Sequence, residues 1–383
     1  MNNKIAKNVN GVEISGIRKF YNKVQKYPGT LSLTLGQPDF FVPNRVKHSM
    51  IKAIEENKTA YTSNFGIDEL REEISKYLRE SFNIKYNKDE ICLTIGGSEG
   101  LFSVFAALIE TGDKVLIPTP AYPAYESCVK ILGGEVVNYN LKDDFSIDYE
   151  NLERVIREEQ PKLIIVSYPS NPTGAVLSKD DKEKLYKILK DKEIIIISDE
   201  IYSALTFDEK YYSLAQYEDL KDRTILVSGF SKMFSMTGLR LGYVCAADNL
   251  MNGIIKVHQY NVSCAPSIVQ WGALEGIKYC LDDVEKMKVE FIKRRDFVYN
   301  RLLELGFSVN MPNGAFYIFP NIENFNMSSE EFCERALSEG KVAVVPGNAF
   351  GKGGEGYIRI SYSYSLDTLE EALNRLEAFL KNI

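Results

Sequence analysis

From about residue 90 to 245 the chain repeats one pattern, an apolar run followed at once by a polar, glycine- or proline-rich cluster. ICLTI leads into GGSEG, KVLIP into TPAYPAY, LIIVS into YPSNPTG, IIIIS into DEIY, and ILV into SGFSK. Runs this short and this rich in Ile, Leu and Val read as strands covered on both faces. Helical stretches alternate with them: LFSVFAALI, the segment up to Leu132, and the charged segment from Lys179 to Lys190. Strand and helix in alternation predict an α/β fold, a mostly parallel central sheet flanked by helices. Ligands of such sheets bind beyond the carboxyl ends of the strands, where the polar clusters fall. From about residue 285 the pattern changes to long charged helices and short strands (AFYIFP, VAVVP, YIRISYS). In a chain of 383 residues this shift predicts a large domain over 41–284 and a smaller α+β domain from 1–40 and 285–383.

Several functions are set aside at this level. A net charge of −7, with lysine and arginine dispersed, is unsuited to nucleic acid or an anionic membrane. Apolar runs such as Ile194 to Ile197 are far too short to span a bilayer. The start, MNNKIAKNVNGVEI, has no apolar h-region, so a secretory signal is not expected. The 6 cysteines are scattered without CxxC pairs, and the 2 histidines are His48 and His258. This combination points to reduced thiols in a cytoplasm and offers no metal-ligand spacing. GKGGEG (351–356) matches GxGxxG literally, yet it precedes the strand YIRIS instead of opening a helix, and reads as a loop. His258 reads as a packing or hydrogen-bonded residue, and Trp271 as core.

The chemistry concentrates in Ser228 to Tyr243, SGFSKMFSMTGLRLGY. An ammonium among Ser, Phe and Met is costly to desolvate, and burial lowers its pKa, so Lys232 is a candidate amine nucleophile. Ser231 and the fork-shaped Arg240 suit a phosphate. On this stretch alone, an ordinary loop with a snorkelling lysine is an equal reading. The other clusters add to it. GGSEG joins a strand to a helix and offers backbone amides to an anion. Tyr122 could cover a flat ring, and Asn171 on its proline-stiffened turn could donate to an oxygen anion. Asp199 follows four isoleucines, and a buried carboxylate there needs a cation or several hydrogen bonds. A protonated ring nitrogen would serve, with the Tyr202 hydroxyl in the same pocket. A Schiff-base lysine, an acid for a pyridine nitrogen, donors for a phenolate and a phosphate cradle together describe a pyridoxal 5'-phosphate site.

The ordered set GGSEG, AYPAY, SNPTG, DEIY, SKMFSMTGLRLGY and YIRISYS resembles the fold-type I, class I/II aminotransferases over essentially the whole chain. EISGIRKF, LGQPDFF, VHQYNVSCA and GAFYIFP are similar to the N-acetyl-LL-diaminopimelate branch of lysine biosynthesis. The resemblance implies that Lys232 carries the cofactor and then shuttles the proton of the 1,3-prototropic shift. It implies Asp199 on the pyridinium nitrogen, Asn171 and Tyr202 on the ring oxygen, and Tyr122 stacked on the ring. Gly97, Ser98, Ser231 and Arg240 would hold the phosphate. Arg359, helped by Asn171 and the Gly36 backbone, would clamp the substrate α-carboxylate. Tyr61 would reach the phosphate of the neighbouring subunit, making a homodimer the functional unit. One departure is Gly229, where some members carry a second serine. The expected activity is transfer of an amino group from an L-amino acid to a 2-oxo acid such as 2-oxoglutarate. A β-lyase or a broad aspartate/aromatic aminotransferase would share these contacts. A cofactor-binding regulator would need a DNA-binding segment, and the short stretch before LGQPDF has no such character. The segment around Ile14 to Ile17 is a candidate lid.

Overall fold

The computed structural model describes residues 4–208 and 210–382. A short strand, β1 (Leu31–Ser32), precedes the seven strands of the central sheet. These are β2 (Ile91–Thr94), β3 (Lys114–Thr119), β4 (Glu135–Asn140), β5 (Leu163–Ser167), β6 (Ile195–Asp199), β7 (Thr224–Gly229) and β8 (Gly242–Cys245). Their order across the sheet is β2-β8-β7-β6-β5-β3-β4. Strands β3 to β7 are parallel; β8 runs antiparallel to β7 and β2 on either side. The expected mostly parallel sheet is present.

Burial on both faces accounts for the apolar runs. Ile165 and Ile197 pack with Val104, Phe105 and Ile254 on one side of the sheet. Ile164 and Ile196 pack with Leu152, Leu185 and Leu189 on the other. Successive strand residues point to opposite faces, so a strand covered twice leaves no polar position until it ends. At one edge, β4 carries exposed Glu135 and Asn140, a polar border that discourages pairing with another chain. Because β3, β5, β6 and β7 point the same way, their last residues, Thr119, Ser167, Asp199 and Gly229, share one sheet edge. β2 points that way too, being antiparallel to β8, and the helix Gly96–Leu108 starts at the same edge.

The tail supplies the opposing wall. β9 (Tyr317–Ile318), β10 (Val342–Ala343), β11 (Val345–Pro346) and β12 (Ile358–Ser361) are short. β11, β12 and β9 form an antiparallel sheet. β10 pairs in parallel with β1, and the Ser361 N–H donates to the Leu33 carbonyl at 3.0 Å. The N-terminal segment is thereby held against the strand that carries Arg359. The helix Leu281–Glu304 runs unbroken through the expected division at residues 284 and 285. The outermost ends of the expected smaller domain, residues 1–3 and 383, lie outside the described residues. GKGGEG holds the 3-10 turn Lys352–Gly354 ahead of β12, and the Gly353 N–H donates to Thr119 Oγ1 at 2.9 Å. Trp271 is at the margin of the core and not inside it, half-buried with Lys58 Nζ 4.0 Å from the ring centroid. Among the described residues no helix is long and apolar enough to cross a membrane.

Backbones touch where β7, β8 and the helix Gly96–Leu108 meet. A Cβ on Gly242 would lie 2.7 Å from the Gly96 carbonyl carbon and from the Gly97 nitrogen. One on Gly229 would lie 2.7 Å from Gly242 Cα, which explains why this chain has no serine there. Gly242→Ala should therefore cost about 1–3 kcal/mol of overpacking, read as a lowered Tm by calorimetry. An unchanged Tm would show that the helix start can yield.

Candidate active site

At the carboxyl edge of the sheet, between it and the tail, lies a cavity of about 520 Å³. Every expected site residue except Tyr61 lines it. Tyr61 is 88% exposed and lies outside the cavity of its own chain.

Lys232 sits on the single-turn helix Phe230–Met233 that follows β7 directly. Its Nζ donates to the Gly36 carbonyl at 2.6 Å. Burial, then the nearby Arg359 and Arg240 guanidiniums, bring its pKa down to about 8, against the pull of the Asp199 carboxylate. Asp199 ends β6 and is 6% exposed. Its Oδ2 accepts from the Tyr125 hydroxyl at 2.6 Å and its Oδ1 from the Ile201 N–H at 3.2 Å. Burial pushes this carboxyl above the usual carboxylate range; the Tyr125 hydroxyl, the Ile201 N–H and the Lys232 ammonium pull it back.

At one end of the cavity Gly97 and Ser98 form the first turn of the helix Gly96–Leu108. Gly96, at φ +72°, leaves room for the Arg240 guanidinium, whose Nη2 is 2.8 Å from where a Cβ would be. Arg240 is itself left-handed, with φ 55°, and its Nη1 donates to the Thr237 carbonyl at 2.9 Å. Helix amides, two hydroxyls (Ser98 and Ser231) and one guanidinium make an anion cradle. Ser98 also hydrogen-bonds the Tyr122 phenol. Tyr122 packs edge-on to Tyr125, with ring centroids 5.6 Å apart.

At the other end stands Arg359, 2% exposed. Its Nη1 donates to Asn171 Oδ1 at 2.9 Å and its Nη2 to the Thr34 carbonyl at 2.6 Å. The rings of Tyr317 and Phe350 flank it at 4.4 Å and 4.9 Å. Its buried Nε has no hydrogen-bond partner among the described residues, and burial depresses its pKa. A desolvated guanidinium with no carboxylate partner among the described residues is arranged for an anionic ligand. The Tyr202 and Tyr317 hydroxyls are 2.9 Å apart, and burial keeps the Tyr202 phenol protonated. Gly36 is confined by Tyr317, whose hydroxyl would lie 2.2 Å from a Cβ there.

Several residues here were not singled out from the sequence. Tyr125 stands in the quoted TPAYPAY, three positions after Tyr122. Tyr317 stands in GAFYIFP. Thr34 acts through its backbone, which no side-chain pattern signals. His258 is buried away from the cavity, its Nδ1 3.1 Å from Glu99 Oε1. Glu99 in turn accepts from the Ile95 N–H at 2.9 Å and the Ser103 hydroxyl at 2.6 Å, steadying the helix start.

The donor set tests the expected cofactor. An amine of lowered pKa, a buried acid wanting a cation, and an anion cradle surround one cavity, and these match the aldehyde, ring nitrogen and phosphate of pyridoxal phosphate. The arrangement defines a pyridoxal-phosphate-dependent transaminase site. Comparison with known proteins agrees. The family model for aminotransferase class I and II matches residues 28–376. A probable N-acetyl-LL-diaminopimelate aminotransferase of Bacillus subtilis (strain 168) is 43% identical, over 96% of this chain and 94% of its own. A probable aspartate aminotransferase of Methanocaldococcus jannaschii is 40% identical, over 96% and 98%. The crystal structure of an aromatic aminotransferase from Pyrococcus horikoshii OT3 superposes with a TM-score of 0.90 at 37% identity, covering 95% of this chain and 99% of that one. The chain belongs to the class I and II aminotransferases, and it is a pyridoxal-phosphate-dependent enzyme.

With a pKa of about 8, Lys232 loses its proton well before an ordinary lysine as pH rises. In cofactor-free protein, acetic anhydride labelling of Lys232, followed by peptide mass, should rise through a midpoint near pH 8 and then level off. Asp199→Asn should move that midpoint down, because the carboxylate favours the ammonium. A midpoint near the ordinary 10.5 would contradict the site's electrostatics.

Proposed function

We propose that the amino donor is N-acetyl-LL-diaminopimelate, with 2-oxoglutarate as acceptor, in lysine biosynthesis. The 43% identity to a relative named for that donor supports the reading. The observation that carries the chemistry is that Lys232, Asp199 and Arg359 line one cavity. Pyridoxal phosphate, when bound, supplies an aldehyde for the amino group and an electron-poor ring for the electron pair left by the α proton.

The chain's own groups do the rest. Lys232 Nζ takes the α proton and returns it; its lowered pKa makes the neutral base available near neutral pH. Asp199 would pair with the ring nitrogen and favour its proton. Gly97, Ser98, Ser231 and Arg240 would hold the phosphate, and Tyr122 would cover the ring. With Asn171 Oδ1 engaged by Arg359, the Asn171 Nδ2 would be left to donate to the ring oxygen beside the Tyr202 hydroxyl. Arg359, steered by Asn171 and by the Thr34 and Gly36 segment, binds the α-carboxylate as a fork.

The functional unit in this reading is a cytoplasmic homodimer in which Tyr61 reaches the partner's phosphate site. Exposed Phe41 at 88%, Tyr61 at 88% and Tyr260 at 87% offer apolar surface for a second copy. The division into 41–284 and 1–40 with 285–383 is part of the same proposal, supported by the β1–β10 pairing.

Borohydride treatment of the holoenzyme should fix the cofactor on Lys232; an adduct on another lysine would overturn the assignment. Arg359→Ala should weaken substrate binding by about 2–5 kcal/mol, chiefly through KM. Unchanged kinetics would remove Arg359 from the carboxylate site. A half-reaction screen with N-acetyl-LL-diaminopimelate, aspartate and phenylalanine decides the donor.

A further inference from the structure

The helix Gly16–Val24 of the N-terminal segment places Ile17, Arg18 and Tyr21 on the cavity wall, and it packs against β11, the strand paired with the one that carries Arg359. Its other cations are spoken for. Lys19 pairs with Glu13, and Lys23 pairs with Glu334. Arg18 has no carboxylate partner among the described residues; its one contact is the Tyr21 ring, 5.7 Å from the guanidinium carbon.

The charges around the cavity sharpen the point. Arg18, Lys232, Arg240 and Arg359 face it, against the single acid Asp199. A phosphate engages Arg240 and the helix amides, and a substrate α-carboxylate engages Arg359. Asp199 is matched by a ring nitrogen, and Lys232 acts as a neutral amine. One guanidinium is left over, and its helix packs against the small sheet that carries Arg359. We propose that Arg18 is a specificity-determining residue that binds a carboxylate at the far end of the substrate, so that this enzyme selects amino acids whose side chains end in an anion. A guanidinium fork suits a carboxylate, and a rim position leaves it solvated until the ligand arrives. This rests on the transaminase reading and narrows its substrate class. Glutamate, aspartate and N-acetyl-LL-diaminopimelate all carry such a group.

The test uses the holoenzyme and measures kcat/KM of the amino-donor half-reaction by cofactor absorbance. Each anionic substrate is set against its neutral counterpart, glutamate against glutamine and aspartate against asparagine, with phenylalanine and N-acetyl-LL-diaminopimelate alongside. Wild type should favour the anionic member. Arg18→Gln should lower the anionic-to-neutral ratio about 10- to 100-fold, through KM, and Arg18→Lys should recover part of it. A residue that only shapes the helix would depress both members and leave the ratio alone, and that result overturns the proposal. So does a wild type that prefers neutral tails or accepts only phenylalanine. Turnover of glutamate or aspartate without N-acetyl-LL-diaminopimelate, with the ratio still falling in Arg18→Gln, would overturn the donor assignment and support Arg18.

Discussion

A carboxylate held where it cannot be well solvated is the constraint on which the rest turns. Asp199 is at the end of a strand flanked by β5 and β7 and covered on both faces. A phenol and a backbone amide hold it, and its cationic neighbour is the amine of Lys232. The same low-polarity surroundings press both groups toward neutrality, the acid upward and the amine downward. Each is a demand that a pyridine aldehyde meets: a ring nitrogen that shares a proton with the acid, and a carbonyl that joins the amine. In the proposed site the protein would thereby gain a partner for its buried charge, and the protonated ring would withdraw electrons.

The fold meets this constraint through strand direction. Six strands deliver their carboxyl ends to one edge, and the strand ends and the turns after them carry the acid, the amine, the amide and the groups of the proposed phosphate cradle. The opposing wall comes from far away in sequence. Pairing of β1 with β10 brings Thr34 and Gly36 to Arg359 and Lys232, where their carbonyls accept from the guanidinium and the ammonium. The proposed substrate contacts are thus spread over both ends of the chain, while the proposed cofactor contacts stay with the central sheet.

That difference governs how much could be read from sequence. Where an element positions its own side chain, the pattern went furthest: four isoleucines point to the depth of Asp199, and ILV followed by SGFSK puts Lys232 just after a strand, although that stretch alone leaves a loop lysine an equal reading. Long-range pairing was hidden. Nothing in the composition of β1 shows that the Thr34 carbonyl will meet Arg359. Tyr125 was passed over because its motif read as a turn, whereas the helix Ala124–Ile131 turns it inward onto Asp199. Arg18 stands in the quoted EISGIRKF, where no pattern marks it; the acid partners of Lys19 and Lys23 set it apart only in the structure. Gly229 stood out only as a missing serine, and its close contact with Gly242 supplies the reason.

The central claim is that the buried acid keeps a proton on the cofactor's ring nitrogen. Nitrogen-15 NMR of the holoenzyme carrying ring-labelled pyridoxal phosphate reads that proton directly. The account predicts a protonated nitrogen in the wild type across neutral pH and an unprotonated one in Asp199→Asn, with turnover falling by about 10²–10⁴-fold. A nitrogen that is unprotonated in the wild type, or protonated alike in both proteins, would contradict it.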